Sequence, residues 1–118
     1  METSSIEIFQ TIRASMQPYA AMGFNAEINS ENEYKLSTSE NPNLKNRQFC
    51  KVYIQNNQVY CCLFNDKLPN DMVQNLKELG KFDGENCFLV NSFSELSKME
   101  LEEILSVGYK LFKFKHWV

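Results

Sequence analysis

The stretch FCKVYIQNNQVYCCLF, residues 49–64, indicates the fold more directly than any other part of the chain. Two runs rich in aromatic and β-branched residues flank Asn56-Asn57. Asparagine tolerates the positive φ angles of a two-residue type I′ turn, and such a turn fixes the register of the strands that it joins. The pattern therefore predicts a β-hairpin in which Tyr53 faces Tyr60.

Alternation along the two predicted strands divides their side chains between two faces, since successive residues of a strand point to opposite sides. One face carries no charge and should belong to the core: Cys50, Val52, Ile54, Val59, Cys61 and Leu63. The other face is amphipathic and mixes aromatic with polar groups: Phe49, Lys51, Tyr53, Gln55, Gln58, Tyr60, Cys62 and Phe64. This second face is the first candidate for a binding surface.

The same register decides how the cysteines of the stretch can act. Cys61 and Cys62 point to opposite sides, and Cys50 and Cys61 share a face only diagonally, which is poor disulfide geometry. A zinc site needs four ligands at characteristic spacings, and His116 is the only histidine, so we predict no metal site. We expect Cys50 and Cys61 to fill the core. Cys62 is a candidate reactive thiol, because the adjacent Lys51 would lower its pKa; an inert, half-exposed thiol is the alternative.

The flanking sequence adds helices and further short strands. The predicted elements are a helix over 4–17 opened by Ser4-x-x-Glu7, strands near 24–28 and 34–38, a helix starting at Pro69 and stopping at Gly80, a turn at Asp83-Gly84, a strand over 87–90, and a last helix opened by Ser97-x-x-Glu100. They predict one α+β domain over residues 1–118. Its antiparallel sheet would have about five short strands, with helices mainly on one face, in the order α-β-β-β-β-α-β-α.

Composition and charge narrow the functional classes. The 118 residues are 43% hydrophobic, which is typical of a globular chain, and the net charge of −3 counts against a dedicated nucleic-acid binder. The sequence shows neither a signal peptide nor an apolar run of the roughly 20 residues that a membrane span needs. These features predict a cytoplasmic protein with reduced cysteines.

No pattern in the sequence predicts catalysis or a cofactor. The only histidine, His116, lies near the C-terminus, where a nucleophile–base arrangement would depend on an easily frayed segment. Glu100, Glu102 and Glu103 are explained by the dipole of the last helix, whose acidic side chains lie at its start. Glycine-rich phosphate loops and zinc-protease motifs are absent from the sequence. We therefore predict a protein that is not an enzyme.

The candidate binding residues form two groups: Lys51, Tyr53, Tyr60 and Phe64 on the hairpin, and Lys113, Lys115 and Trp117 in the basic-aromatic C-terminus YKLFKFKHWV. These C-terminal aromatic residues could instead fasten the end of the chain to the core. The predicted function is a non-enzymatic intracellular binding domain, whose partner is a protein or a second copy of the chain. The alternatives are a nucleic-acid-associated module, since aromatic residues with interleaved lysines stack on bases, and a thiol-based sensor or small enzyme using Cys62.

The order of elements over residues 47–113 resembles that of small bacterial α+β domains of unassigned function. In these a hairpin is followed by a short helix, a strand with a serine-rich exit (FLVNSFSEL here) and a closing helix (ELEEILSVGYKLF here). It is also similar to the frataxin-like iron-chaperone family, which has a helix-flanked sheet. That family binds iron through an acidic first helix, whereas SSIEIFQTIRASMQ holds one acid and one arginine. Iron binding is therefore not expected here.

Overall fold

The hairpin over residues 49–64 is present and lies at the centre of a larger sheet. The computed structural model describes residues 4–38, 46–65, 72–73 and 76–118. The elements within them are α1 (Ser5–Met16), a 3₁₀ helix (Gln17–Met22), β1 (Asn25–Asn29), β2 (Glu33–Ser37), β3 (Gln48–Gln55), β4 (Gln58–Cys62), β5 (Lys81–Phe82), β6 (Cys87–Val90) and α2 (Glu95–Phe114). The predicted α+β class and antiparallel sheet are confirmed.

The six strands form one sheet in the order β1-β2-β3-β4-β6-β5, and every neighbouring pair is antiparallel. The sheet has one strand more than the five predicted, because the two-residue β5 is too short to give a period-2 pattern. Neither helix in the described part of the chain combines the length and the apolarity needed to cross a membrane.

The predicted register of the hairpin is confirmed from Lys51, opposite Cys62, to Gln55, opposite Gln58. Asn56 and Asn57 have φ angles of 55° and 62°, as a type I′ turn requires. The turn and the alternation are both local properties of the sequence, which explains why they could be read from it.

The register breaks at the start of β3, where Leu36 of β2 pairs with Cys50 and Ser37 pairs with Gln48. Phe49 is therefore an extra residue in β3, a β-bulge, and bulges redirect side chains. Its ring is 0% exposed and lies among core aromatic rings. The prediction that Phe49 belongs to the amphipathic face is wrong for this reason.

The first helix follows its predicted signals closely. Ser4 is its N-cap and accepts a hydrogen bond from the Glu7 N–H at 3.2 Å. Its apolar stripe of Ile8, Phe9, Ile12 and Met16 is buried. The 3₁₀ helix continues it and ends at Gly23, whose φ of 106° reverses the chain towards β1.

The helix predicted between Pro69 and Gly80 falls in part, at residues 69–71 and 74–75, outside the described residues. Within the described part, residues 72–73 are 3₁₀-helical and residues 76–79 are not helical. Their backbone is instead held by α2. The Glu100 carboxylate accepts hydrogen bonds from the N–H groups of Lys77, Glu78 and Leu79 at 3.1, 2.9 and 2.9 Å. Glu100 thus positions a neighbouring segment and does not simply complement the helix dipole.

The last helix begins earlier than predicted, because Ser94 and not Ser97 is its N-cap. Ser94 and Ser97 form a capping box, in which each side chain accepts from the backbone N–H of the other. Ser97 also donates a hydrogen bond to the Glu78 carbonyl at 2.7 Å. Together with Glu100, it ties the start of α2 to residues 77–79.

The core lies between the sheet and the two helices, on one side of the sheet, which we call the covered face. Its fully buried large side chains include Phe9, Phe49, Phe64, Phe88, Phe112, Leu101 and Leu105. A methyl group added at Gly108 of α2 would lie 2.2 Å from the Phe64 ring, so glycine is what lets this ring pack against the helix. Of the predicted core members, five are buried (Cys50, Val52, Val59, Cys61 and Leu63), and Ile54 is partly buried and packs against the core.

A candidate binding face opposite the helices

The second side of the sheet, which we call the open face, is turned away from α1 and α2. Its register carries Lys51 and Tyr53 from β3, Tyr60 from β4, and Leu89 from β6. Their neighbours along each strand point to the covered face and are buried, except for Ile54, which is partly buried and packs against the core; this fixes the direction of these side chains. The four themselves are only partly buried.

Charged pairs occupy one half of the open face. The Lys35 ammonium lies 3.2 Å from the Glu27 carboxylate, and the Lys51 ammonium lies 3.2 Å from the Glu33 carboxylate. Glu27 also accepts a hydrogen bond from Ser37 at 2.9 Å, which is the main reason that its pKa is lowered. This half, built from β1, β2 and the edge of β3, has its charges satisfied locally.

Aromatic and aliphatic groups occupy the other half. The Tyr53 and Tyr60 rings are stacked, with centroids 5.0 Å apart and planes 18° apart. Beside them lies a cavity of about 300 Å³, lined by Tyr53, Tyr60, Lys81, Phe82, Asp83, Cys87 and Leu89. We call this cavity the aromatic groove. Its volume is at the lower end of the range for ligand sites, about 300–1,000 Å³, so it suits one large side chain or one small ring.

Charges flank the groove without filling it. The Lys51 ammonium lies 4.8 Å from the centroid of the Tyr53 ring, a cation–π contact. Lys81 and Asp83 contribute one charge of each sign. Partial burial, followed by the proximity of Tyr60, Asp83 and Glu33, raises the pKa of the Tyr53 phenol. Tyr53 is therefore neutral at physiological pH, and its hydroxyl can donate a hydrogen bond.

A disulfide forms part of this face. Cys62 of β4 and Cys87 of β6 are directly opposite each other in the register and are joined, with an S–S distance of 2.06 Å. The prediction that all four cysteines are reduced is wrong for this pair, and Cys62 is not a reactive thiol in this structure. Cys62 is 3% exposed, whereas Cys87 is partly exposed and lines the groove.

The other two cysteines behave as predicted core residues. Cys50 and Cys61 are unbridged and fully buried on the covered face. Burial raises the pKa of the Cys61 thiol to about 12, and burial together with Cys61 raises the pKa of Cys50 well above its usual value. Both are therefore protonated and unreactive at neutral pH.

Phe64 does not reach the open face. The ladder between β3 and β4 ends at Lys51 and Cys62, and Phe64 follows the end of β4. Its ring lies on the covered face, 5.6 Å from Phe49 and 5.9 Å from Phe112, and is 0% exposed. Its predicted place on the amphipathic face is therefore wrong.

The C-terminal candidates form a separate surface. Trp117 packs edge-on against Phe112 at 5.1 Å, and the Arg47 guanidinium lies 3.8 Å from the centre of its ring. Lys113 and Lys115 are exposed at the end of α2, on the helix side of the sheet. The structure brings Lys51, Tyr53 and Tyr60 together but does not join Lys113, Lys115 or Trp117 to them.

A helix-capping arrangement explains how the C-terminus is held. His116 has a φ of 59°, and the N–H groups of His116 and Trp117 donate to the carbonyls of Lys113 and Phe112 at 3.1 and 2.9 Å. These are the two bonds of a Schellman motif, which commonly includes an apolar contact such as the one between Trp117 and Phe112. The exposed His116 thus serves as a helix cap.

Several groove residues escaped prediction. Leu89 and Cys87 alternate with the buried Phe88 and Val90, so the sequence indicates that they point away from the core. The sequence near them does not indicate that β6 pairs with β4. Lys81 and Phe82 belong to the strand that was missed. Over the described ranges, no cluster of three or more His, Cys, Asp or Glu side chains is arranged to hold a metal ion.

Comparison of the chain with protein-family models, with curated proteins and with solved structures finds no match. The resemblance to frataxin-like domains thus has no support from these comparisons, and the geometry of the open face carries the functional argument.

Proposed function

We propose that this chain is a non-enzymatic binding domain that takes an apolar side chain of a protein partner into the aromatic groove. The observation that carries the proposal is the stacked Tyr53–Tyr60 pair beside a partly apolar cavity, on the face that the helices leave uncovered. Tyrosine is enriched at protein interfaces because it offers a large apolar ring with a polar end.

The charges around the groove favour a protein segment with mixed polarity. Lys81 and Asp83 can pair with a carboxylate and with a donor on either side of the inserted group. The open face also remains available for self-association, the other kind of partner that the sequence predicts. A partner of either kind would bury Tyr60 and Leu89.

The groove can be tested with a small probe before a partner is known. Isotope-labelled protein is titrated with N-acetyl-tryptophan amide and followed by NMR. We expect saturable shifts of Tyr53, Tyr60 and Leu89 at millimolar probe, because one inserted ring supplies only a few kcal/mol. Leu89→Ala should weaken binding several-fold. The matched variant is Ile28→Ala on the charged half of the face, which should leave it unchanged.

Two results would argue against the proposal: shifts scattered over the whole surface, or equal weakening by Leu89→Ala and Ile28→Ala. If the groove responds as expected, peptides selected from a displayed library on the wild-type chain should contain an aromatic or large aliphatic residue. Their binding should be lost on Tyr60→Ala.

A nucleic-acid-associated module is the second candidate, and the Lys51–Tyr53 cation–π contact is the observation that favours it. Two observations argue against this candidate. The Glu33 carboxylate already pairs with Lys51, and the Tyr53 and Tyr60 rings already stack on each other, so each has one ring face fewer for a base. Fluorescence anisotropy with labelled oligouridine at low salt distinguishes the two. Binding that falls steeply with salt and requires Tyr53 would support this candidate.

The proposed setting is the cytoplasm, as the sequence predicts. The Cys62–Cys87 disulfide weighs against it, since cytosolic thiols are normally kept reduced. Counting thiols in chain isolated from its native cells under acid quenching tests this part of the proposal: four thiols are expected in a reducing compartment and two in an oxidising one.

A further inference from the structure

The outer side of α2 carries an apolar stripe that no described element covers. Leu96, Met99, Val107 and Phe114 are 59%, 63%, 41% and 75% exposed, and they account for most of the exposed large apolar side chains in the described part of the chain. Successive members of the stripe are three, eight and seven residues apart. These spacings are close to whole helical turns, so the four side chains lie on one side of the helix. Exposed large apolar side chains aligned on one side of a helix are a candidate interaction surface.

A groove alongside the stripe widens this surface. It has a volume of about 260 Å³, and it is lined by Leu76, Glu100, Glu103, Ile104 and Val107. Val107 belongs to both the stripe and the groove. A second helix laid along the stripe could therefore insert side chains beside α2 as well as pack on top of it.

The charges of α2 indicate what covers the stripe. Its first half is acidic on balance, with four glutamates (Glu95, Glu100, Glu102 and Glu103) against Lys98, and its end is basic, with Lys110, Lys113 and the C-cap Lys115. A helix with this polarity attracts a second copy of itself in the antiparallel direction, since each acidic half then lies along a basic half. In the parallel direction like charges would face each other.

The two ends of the stripe are symmetric about residue 105. Leu96 and Phe114 lie equally far from residue 105, one on each side, whereas the counterparts of Met99 and Val107 are Leu111 and Glu103. In a two-fold antiparallel pair, positions equidistant from the midpoint face each other. Leu96 of one copy would then meet Phe114 of the other, and Lys110 would lie within about one helical turn, 5.4 Å, of the other copy's Glu103.

We propose that α2 is the interface of a homodimer, in which two copies pack antiparallel through Leu96, Met99, Val107 and Phe114. Because α2 lies on the covered side of the sheet, both aromatic grooves stay exposed on the outside of the dimer. The dimer would bind a repeated partner bivalently. A single helix pair is a small interface, so the dissociation constant should be in about the micromolar range.

Sedimentation equilibrium of the full chain at about 1–500 µM tests the proposal. We expect the mass to rise with concentration from 13.8 kDa towards twice that value. Val107→Glu should weaken the dimer by tenfold or more. Its matched control is Met22→Glu, because Met22 is 40% exposed, as Val107 is 41%, but lies in the 3₁₀ helix. The control should leave the constant unchanged.

A charge exchange tests the direction of the pairing. Glu103→Lys and Lys110→Glu should each weaken the dimer several-fold, and the double variant should recover most of the affinity. Circular dichroism and urea unfolding confirm that each variant is folded.

A chain that is monomeric at every concentration would overturn the proposal, as would equal effects of Val107→Glu and Met22→Glu. Failure of the double charge variant to recover would overturn the antiparallel arrangement. A dimer that is abolished by Tyr60→Ala but not by Val107→Glu would place the interface on the open face instead. Binding of N-acetyl-tryptophan amide is measured separately, so this proposal and the proposed function fail independently.

Discussion

Aromatic residues occur on both faces of the sheet, but their surroundings differ. On the covered face Phe49, Phe64 and Phe112 are 0% exposed, and each ring contacts at least two other rings. On the open face Tyr53 and Tyr60 stack on each other and are only partly buried. Aromatic content alone therefore does not distinguish a core from a binding surface; the number of ring contacts and the exposed fraction do.

Truncating one aromatic ring on each face gives the strongest test of the difference between the two faces. Phe112→Ala removes contacts with Phe24, Phe49, Phe64 and Trp117, at centroid distances of 5.7, 5.3, 5.9 and 5.1 Å. We expect a loss of about 3–5 kcal/mol in the free energy of unfolding, because a buried ring leaves a cavity. Urea denaturation followed by circular dichroism measures it.

Tyr60→Ala is the counterpart on the open face. It removes one stacked pair and a hydrogen bond from the Tyr60 hydroxyl to Gln58, so we expect a loss of about 1 kcal/mol. Equal losses for Phe112→Ala and Tyr60→Ala would mean that the two faces are buried alike, and the open face could not then be a binding surface.

The cysteines give the next largest difference between the two faces. The one disulfide in the described part of the chain, Cys62–Cys87, lies on the open face, whereas the covered face holds two unbridged thiols. Replacing both cysteines by alanine should lower the free energy of unfolding by about 3 kcal/mol. The reason is that the bridge closes a loop with a sequence separation of 25 and so restricts the unfolded chain.

Reducing agent provides the control for this variant. It should destabilise the wild-type chain by a similar amount and leave the double alanine variant unchanged. Thiol titration of the unreduced chain in denaturant should count two thiols, because two of the four cysteines are bridged. A count of four would contradict the bridge.

A feature of this structure is predictable from the sequence when the residues that determine it lie close together along the chain. The hairpin register from Lys51 to Cys62 follows from the Asn56-Asn57 turn and the alternation beside it. The caps of α1 are equally local. The bulge at Phe49 was not readable, because it depends on how β2 meets β3 across a long connection.

The candidate site was predicted only in part for the same reason. Tyr53 and Tyr60 belong to one hairpin, so their pairing was evident from the sequence. Cys87 and Leu89 join them because β6 pairs with β4, a choice made by the packing of the whole sheet. The disulfide follows from that same pairing, and neither the spacing nor the type of the cysteines indicated it.

The smallest expected effect concerns the unbridged thiols of the covered face, and it appears only at high pH. Burial raises the pKa of Cys61 to about 12 from an ordinary value of 9.0. Above about pH 9 the unfolded chain loses this proton and the folded chain keeps it, so stability is fully present below pH 9 and falls as the pH rises towards 12. Between pH 8.5 and pH 10 we expect this thiol to lower the free energy of unfolding by about 1 kcal/mol.

Cys61→Ala removes this contribution, together with the smaller part that Cys61 plays in raising the pKa of Cys50. The variant keeps the disulfide, the tyrosines and the burial of Cys50. The free energy of unfolding, measured at pH 8.5, 9.25 and 10, should therefore fall less steeply for the variant. The loss of packing in Cys61→Ala lowers its stability at every pH and does not alter the slope. Parallel slopes would show that the folded chain releases the Cys61 proton as readily as the unfolded chain does. That result would contradict the dry, covered character of this side of the sheet and, with it, the contrast between the two faces.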